Sequence, residues 1–189
     1  MALDMKKEVY FSDKNYLLID FQKSHLTEEY ISWLNDKETV KYSRHRYSKH
    51  DMKSSNNYLK EQNNNNNLFL AIEAKNISKN KNEHIGNISV NFDFNNEHAD
   101  ISILIGKKRF WGKGIGYILI SNLIKFLFNK KNIYIITCGT LSVNVGMIKL
   151  MEKLNMNPKT TIPGRFLMEG KRVDLVQGFI TNSKFTKQL

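Results

Sequence analysis

Apolar residues recur along the chain with two periods, one typical of strands and one typical of helices. Short β-branched or alternating apolar runs predict strands at Tyr16–Phe21, Leu68–Ile72, Ile85–Phe92, Ile101–Ile105, Ile133–Cys138, Arg165–Met168 and Lys171–Ile180. Apolar residues three or four positions apart predict helices at Leu26–Leu34, Lys49–Glu61, Gly114–Phe128 and Asn144–Leu154. The pattern therefore predicts about seven strands and about four helices.

The order of these elements predicts how the strands pair. The second, third and fourth predicted strands follow one another through polar connections, which favours an antiparallel meander. The helix Gly114–Phe128 joins the fourth and fifth predicted strands, and such a strand–helix–strand unit normally makes its two strands parallel. A turn at Glu169 and Gly170 closes the chain in a hairpin. We therefore expect an α/β (α+β) fold with a mixed, mostly antiparallel sheet.

Low-complexity segments are few. Gln62 and the five asparagines Asn63–Asn67 predict a loop, because such a segment cannot pack. No internal repeat or linker is present in the 189 residues. We expect one domain from residue 8 to residue 182, with tails at 1–7 and 183–189.

Composition excludes several classes of protein. A single cysteine, Cys138, rules out an internal disulfide and a zinc cluster, and no apolar run approaches the roughly 20 residues that span a bilayer. We expect a cytoplasmic protein without a membrane span. The net charge of +11 invites a nucleic-acid interpretation, but the basic residues are spread along the chain and no reading motif accompanies them.

A glycine string carries the clearest chemical signal. The strand Ile101–Ile105 leads into glycines at positions 112, 114 and 116, and these open a helical pattern. Alternating glycines let successive N–H groups converge on one anion, and the start of a helix adds unpaired N–H groups. Four cations surround the string: Lys107, Lys108, Arg109 and Lys113. The string predicts a phosphate or pyrophosphate site, and a β-to-α turn without a ligand is the alternative.

Neither common phosphate motif fits this string. The Walker form needs Gly-Lys followed by Ser or Thr, and the dinucleotide form needs a glycine at position 117, where Tyr117 stands. Nucleotide hydrolysis and NAD binding are therefore disfavoured.

The string resembles the acyl-CoA loop of the GCN5-related N-acetyltransferases (GNAT superfamily), written Arg/Gln-x-x-Gly-x-Gly/Ala. Two registers are possible, one beginning at Arg109 and one at Trp111, and we prefer the second. A Trp-Gly-x-Gly string resembles the RimJ/RimL-like and amino-sugar branch. The resemblance implies a GNAT-like domain whose fourth and fifth strands form a parallel pair splayed around acyl-CoA.

A second family signature, Asn-x-x-Ser-x-x-x-Tyr-Glu-Lys-Leu-Gly-Phe, resembles the segment from Asn144 onward. Glu152, Lys153 and Leu154 are kept, whereas Met151 replaces the tyrosine that protonates the leaving thiolate. Asn155-Met156 replaces Gly-Phe. The acetyl-CoA contacts that the resemblance implies are Ile103, Leu104, Ile105, Arg109, Trp111, Gly112, Lys113, Gly114, Ile115, Gly116, Asn144 and Lys149.

Acyl transfer to an amine needs a base, a donor to the carbonyl oxygen and a proton for the thiolate. By resemblance Asp100 is the candidate base, acting directly or through water, and a solvated strand-end aspartate is the alternative. Asp93, Glu97 and His98 are further candidates. The carbonyl donor is expected to be a backbone N–H within Ile103–Ile105. The acid stays unassigned; its candidates are Cys138, Thr140 and Ser142.

A cluster after the first predicted helix suggests the acceptor site, and Tyr42, Arg44 and Arg46 are its candidate contacts. Because arginine pairs with phosphate and the chain is strongly cationic, we expect an anionic amine. The resemblance favours a nucleotide-linked amino sugar, and a protein N-terminus is the runner-up. A solvated basic loop and a non-catalytic CoA-binding module are the alternatives. We expect no metal, no nucleic-acid partner, and a monomer or homodimer.

Overall fold

One eight-stranded sheet runs through the computed structural model, which describes residues 8–64, 67–75, 81–156 and 159–184. The strands are β1 (Val9–Ser12), β2 (Tyr16–Asp20), β3 (Leu68–Ala74), β4 (Glu83–Asp93), β5 (His98–Ile105), β6 (Ile135–Leu141), β7 (Thr160–Met168) and β8 (Lys171–Thr181). The α-helices are α1 (Glu28–Asn35), α2 (Met52–Asn64), α3 (Ile115–Lys130) and α4 (Val145–Lys153). Within the described residues no helix is both long and apolar enough to cross a membrane.

The strands lie in the order β1-β2-β3-β4-β5-β6-β8-β7. Every neighbouring pair is antiparallel except β5 and β6, which are parallel and joined by α3. The predicted mixed, mostly antiparallel sheet with one parallel pair is therefore confirmed, as is the number of α-helices.

The structure corrects several predicted boundaries. An eighth strand, β1, was not predicted because it is short and buries only Tyr10. The strand predicted at 133–138 runs from Ile135 to Leu141, so Thr140 lies within it rather than after it. Helix α2 continues to Asn64, into the segment predicted as a loop. Asn65 and Asn66 lie outside the described residues, as do the predicted tail 1–7 and residues 185–189 of the other tail.

The two faces of the sheet carry different layers. Helices α3 and α4 cover one face, where Leu18, Leu70, Ile88, Ile101, Leu119, Leu123, Leu127 and Met151 form the main core. Helices α1 and α2 cover the other face, but only over the first strands of the sheet, with Ile19, Phe21, Tyr30, Trp33, Leu59, Phe69 and Ala71. Because strand side chains alternate between faces, the register of each strand decides which layer its residues join.

Helix α1 is fixed against the end of β5. Thr27 caps the helix by accepting a hydrogen bond from the Tyr30 N–H at 3.2 Å, and Trp33 is buried one helical turn further on. The Trp33 ring lies flat on Gly106, so a Cβ at that glycine would come 2.0 Å from the indole. The absence of a side chain at Gly106 therefore sets the position of α1 relative to the loop that follows β5.

Replacing Gly106 by alanine tests this contact. We expect destabilisation of about 1–3 kcal/mol, because the new methyl group overlaps a rigid, buried ring and overpacking has that cost. Gly146→Ala is the matched control, since its Cβ would lie 3.8 Å from the nearest atom and α4 gains helix propensity. Urea unfolding of the two variants should show a loss for the first and no loss for the second; equal stabilities would contradict the packing argument.

Candidate active site

A gap opens between β5 and β6 in the middle of the sheet. The parallel ladder contains only three pairs, His98–Ile135, Ala99–Ile136 and Asp100–Thr137. Beyond them β5 remains paired with β4 as far as Ile105, and β6 remains paired with β8 as far as Leu141. The two strands therefore splay apart after Asp100 and Thr137, and this pair marks the closed end of the gap.

The backbone of β5 borders the gap. The Gly106 N–H donates to Ile85 O on β4 at 2.9 Å, and successive residues of a strand point their N–H groups to opposite sides. Leu104 therefore faces β4, whereas the backbone groups of Ile103 and Ile105 face the gap. Of the three predicted backbone contacts in this strand, the register thus brings Ile103 and Ile105 to the gap and turns Leu104 away from it.

The glycine loop stands at the open end of the gap. Gly112 and Gly114 have φ values of +71° and +74°, and a Cβ at either would meet nothing within 4 Å. Gly114 is the N-cap of α3. In the described part of the chain, the backbone N–H groups of residues 112–116 donate to no protein acceptor. Five consecutive free donors at a helix N-terminus favour an anion.

The register beginning at Trp111 fits the structure. Gly116 lies inside the first turn of α3, where a Cβ would come 2.9 Å from Leu150 Cδ2, so this glycine allows α4 to pack closely. Lys149 is exposed on α4, next to Leu150 in sequence. The Trp111 indole Nε1 donates to Ile105 O at 2.8 Å, which folds the loop back onto the end of β5.

Asn144 has a structural role in the described chain. Its side-chain oxygen accepts from the Met147 N–H at 3.3 Å and caps α4, while its Nδ2 donates to Thr140 Oγ1 at 2.9 Å. Its amide is therefore engaged at both ends, and its predicted contact with acetyl-CoA stays a prediction.

Three of the four cations beside the loop are paired with carboxylates. Lys107 lies 2.6 Å from both Glu29 and Glu83, and Arg109 also pairs with Glu83. Lys108 binds two further carboxylates, Asp36 at 3.1 Å and Glu38 at 2.6 Å. Lys113 forms no ion pair with any described residue and lies over the Phe110 ring. The positive charge expected around the glycine string is therefore largely neutralised, which leaves Lys113 and the backbone donors to attract an anion.

Asp100, the predicted base, lies at the closed end of the gap on the face of α1 and α2. The Thr137 hydroxyl donates to Asp100 Oδ2 at 2.7 Å, and His98 Nε2 lies 2.8 Å from the same hydroxyl oxygen. Since the single hydroxyl proton goes to Asp100, His98 Nε2 is the donor to Thr137 in this arrangement. Burial raises the pKa of Asp100, and the hydrogen bond from Thr137 and the charge of His98 oppose that rise.

The other candidate bases are placed differently. Asp93 is exposed, and hydrogen bonds from Asn96 lower its pKa. Glu97 has φ of +50° in the turn before β5. His98 reaches Asp100 only through Thr137. Of the four candidates, Asp100 is therefore the carboxylate nearest the gap.

The candidate acids lie on or just after β6. Cys138 is buried on the α3 face, and burial, aided by the nearby charge of Asp100, raises its pKa to about 12. Thr140 is buried and bound to Asn144. Ser142 follows the strand, where its N–H donates to Asp174 O at 2.9 Å. Met151, at the position of the missing tyrosine, is fully buried in the core. The general acid therefore stays unassigned.

The acceptor cluster lies against the β7–β8 hairpin and the segment that follows β6. Tyr42 lines a cleft of about 260 Å³ together with Lys41, Val143, Met168, Glu169, Lys171 and Val173. Arg44 is exposed. Arg46 donates to Ser43 O at 2.7 Å and to the Tyr47 hydroxyl, which in turn donates to Leu167 O at 3.1 Å. Arg46 therefore holds the loop against β7, while Tyr42 and Arg44 remain available.

Several polar groups of the centre were not found from the sequence. Thr137 was missed because only the parallel register places it beside Asp100. Asn87, with its Oδ1 buried and unpaired among the described residues, shares the same face. Lys41, which directly precedes the predicted contact Tyr42, also lines the cleft. Within the described residues no group of three His, Cys, Asp or Glu side chains could hold a metal ion.

Solved structures with the same fold are similar over nearly the whole chain. The spermidine N-acetyltransferase of Vibrio cholerae, solved with CoA and spermine, has a TM-score of 0.79 at 16% identity and covers 92% of this chain and 99% of its own. RimL, a ribosomal α-N-protein acetyltransferase solved with coenzyme A, has a TM-score of 0.78 at 13% identity, covering 92% and 98%. The microcin C7 self-immunity acetyltransferase MccE, solved with acetyl-CoA and AMP, has a TM-score of 0.74 at 17% identity, covering 90% and 94%.

Sequence comparison gives the family. A search of curated proteins finds no significant match. Residues 16–157, well over half of the chain, match the family described as acetyltransferase (GNAT) domain. The eight-stranded sheet, its splayed parallel pair and its glycine loop agree with that match. The chain therefore belongs to the acetyltransferase (GNAT) domain family.

Proposed function

We propose that this protein transfers the acetyl group of acetyl-CoA to the primary amine of a nucleotide-linked amino sugar. The observation that carries the transferase part is the row of five free N–H donors at residues 112–116, aligned with the gap between β5 and β6. The acceptor part rests on the cationic wall of the cleft. We further propose that the enzyme works in the cytoplasm.

The chain offers separate groups for each part of acetyl-CoA. The N–H groups of the glycine loop and the Lys113 ammonium suit a pyrophosphate, and the backbone of Ile103 and Ile105 suits the amides of an extended arm. When bound, acetyl-CoA supplies an activated thioester. Free edges of splayed strands suit such an arm, because an extended chain can pair with an open edge. These two sets of backbone groups support an anion site at the loop and a place for the extended arm in the gap.

Asp100 is the proposed base. Its carboxylate lies at the closed end of the gap, on the face of α1 and α2, and it accepts a hydrogen bond from the Thr137 hydroxyl at 2.7 Å. Burial raises its pKa toward the range in which a carboxylate can accept a proton from an ammonium. Position and basicity therefore both favour this residue.

An anionic acceptor fits the wall of the cleft. Lys41 and Lys171 line it and Arg44 is exposed on the loop that follows Tyr42, whereas Glu169 is the one acidic side chain among the residues that line it. The MccE structure was solved with both acetyl-CoA and AMP, which supports a nucleotide-bearing acceptor for a protein of this fold. Guanidinium and ammonium groups pair with a diphosphate, and Tyr42 offers a ring on which a base can stack.

The charge of the cleft also bears on two other classes of acceptor. A protein N-terminus, the acceptor class of RimL, is the runner-up, because the open cleft admits an extended peptide. A polyamine, the ligand class of the Vibrio cholerae enzyme, would approach a wall of its own sign of charge. A CoA-binding module without turnover is the remaining class, motivated by Met151 in place of the tyrosine.

The first expectation concerns acetyl-CoA itself. Acetyl-CoA should raise the thermal stability of the protein, by about 2.7 kcal/mol when the free ligand is about 100 times its Kd. Gly114→Glu should abolish the effect, because it places a side chain and a negative charge among the N–H donors. Gly170→Glu is the control, since its φ of +76° and open surroundings impose similar backbone strain elsewhere. Equal ligand-induced shifts in both variants would refute the loop as the pyrophosphate site.

The second expectation concerns Asp100. Asp100→Asn should lower kcat by about 10²–10⁴-fold while leaving acetyl-CoA binding intact, since it removes the base and keeps the shape. The activity of the native enzyme should fall as the pH is lowered through the raised pKa of Asp100, because only the carboxylate accepts a proton. Asp51→Asn, which changes an exposed carboxylate just before α2, should keep full activity. Release of CoA by Asp100→Asn at the native rate would exclude Asp100 as the base.

The third expectation concerns the acceptor. A UDP- or dTDP-linked amino sugar should react with a higher kcat/KM than the same amino sugar without its nucleotide, an N-terminal peptide or spermidine. Arg44→Ala should reduce this preference by about tenfold, the effect of one lost charge-assisted hydrogen bond, whereas Lys125→Ala on the distant surface of α3 should not. A preference for the peptide would favour the runner-up, and no CoA release with any amine would favour the binding module.

A further inference from the structure

Three side chains form a continuous hydrogen-bonded chain that leads away from the gap. Asp100 Oδ2 accepts from the Thr137 hydroxyl at 2.7 Å, and the Thr137 oxygen accepts from His98 Nε2 at 2.8 Å. His98 and Asp100 lie two residues apart on one face of β5, and Thr137 stands opposite Asp100 on β6. This row of hydrogen bonds therefore runs back along the paired end of β5, away from the splayed end.

The outer end of this row of hydrogen bonds is His98, which is open to water. His98 is partly exposed and stands opposite Asp93 on β4, and Asp93 is itself exposed. Hydrogen bonds from Asn96 and, to a smaller extent, the charge of His98 keep Asp93 ionised by lowering its pKa. A proton that reaches His98 therefore arrives beside solvent and a carboxylate.

The stoichiometry of acetyl transfer requires such an exit. An ammonium acceptor loses one proton before its nitrogen can attack; the N–C bond then forms as the C–S bond breaks with its electron pair on sulfur. A second N–H proton is lost in that process and ends on the leaving sulfur as a thiol. The first proton remains on the base and must reach water before the next turnover. At that moment the bound ligands occupy the gap, so the proton needs another way out.

We propose that Thr137 and His98 form a proton relay that carries this first proton from Asp100 to water. The relay rests on the proposed function, since it takes Asp100 as the base. With the His98 proton on Nδ1, the Asp100 carboxyl donates to Thr137 and Thr137 donates to His98 Nε2. Transfer along both bonds leaves an imidazolium and a carboxylate. Loss of the Nδ1 proton to water leaves His98 protonated on Nε2, which is the arrangement seen in the structure. Exchange of protons with water then returns His98 to the tautomer protonated on Nδ1.

The surroundings of Asp100 leave no competing route through side chains. On β6 the neighbouring Cys138 points to the opposite face, and its pKa of about 12 keeps it a neutral thiol. On β4 the residue opposite Asp100 is Asn91, which does not titrate. Among the described residues, Thr137 is therefore the one side chain bonded to the Asp100 carboxylate.

The test compares variants at two positions of the relay. Thr137→Val keeps the shape and removes both hydrogen bonds, and Thr137→Ser restores the hydroxyl. His98→Gln can still donate a hydrogen bond to Thr137 but cannot take up a proton. It therefore separates proton transfer through His98 from the orientation of the Thr137 hydroxyl. Thr181→Val, the same change on the neighbouring strand β8, is the control. Proper folding is checked through the acetyl-CoA-induced thermal shift, which all four variants should retain.

The relay predicts a specific pattern of rates. Thr137→Val and His98→Gln should each lower kcat about tenfold with an unchanged KM for acetyl-CoA, and their rates should rise with buffer concentration as buffer replaces the relay. Thr137→Ser and Thr181→Val should behave like the native enzyme. A native rate for His98→Gln, independent of buffer, would overturn the relay and leave His98 with an orienting role.

A measurement without turnover separates failure of the relay from failure of the proposed function. The Asp100 carboxyl carbon can be followed by NMR as the pH is changed. Loss of the Thr137 hydrogen bond leaves only the charge of His98 to oppose the effect of burial on the pKa of Asp100, so the Asp100 carboxyl should titrate at higher pH in Thr137→Val than in the native protein, and Thr137→Ser should show no such change. An unchanged titration in Thr137→Val would overturn the relay, whereas absence of CoA release from the native protein would overturn only the proposed function.

Discussion

The early end of pairing between β5 and β6 is the constraint on which the site depends. Each strand stays paired on its outer side, β5 with β4 and β6 with β8, so the sheet remains continuous at both flanks while the centre opens. The inner edges beyond Asp100 and Thr137 then carry backbone groups without strand partners. Unpaired backbone groups inside a protein are costly unless something satisfies them, and here they face the gap between the two strands. The Asp100 carboxylate lies at the closed end of that gap.

Backbone donors rather than side-chain cations dominate the anion site. The basic run Lys107–Arg109 suggested a cluster of free charges, but its partners Glu29, Asp36, Glu38 and Glu83 come from α1, the loop after it and β4. The pairs of Lys108 and Arg109, whose side chains are well exposed, contribute little stability. Their effect is to hold α1 and β4 around the residues between Gly106 and the glycine string. The N–H groups of residues 112–116, fixed by positive φ values at Gly112 and Gly114, remain without protein acceptors in the described chain and are available to an anion.

The sequence predicted elements whose signals are local and missed those set by pairing. The spacing of apolar residues gave all four α-helices, and β-branched runs gave the central strands. By contrast β1 has one buried residue, so its pattern is too short to recognise. Strand β7 begins at Thr160 rather than Arg165, because a register shift around Pro163 and Gly164 lets the strand continue through residues that normally end one. For the site, the glycine loop was visible as a motif, whereas the carboxylates that pair with its cations lie at least 24 residues away in the sequence and could not be seen.

The chemistry of the centre follows from which residues share a face. His98 and Asp100 are two apart on β5, and the parallel register places Thr137 beside them, while the next residue, Cys138, joins the apolar face under α3. A one-residue slip of β6 would reverse this, burying a hydroxyl among apolar side chains and setting the thiol beside the carboxylate. The register is fixed by Ile136 and Cys138 packing into the core on one face and by the ladder with β8 on the other edge of the strand. The packing of the hydrophobic core therefore also determines which groups surround the Asp100 carboxylate, and a change in the core under α3 would act on the candidate site through the position of Thr137.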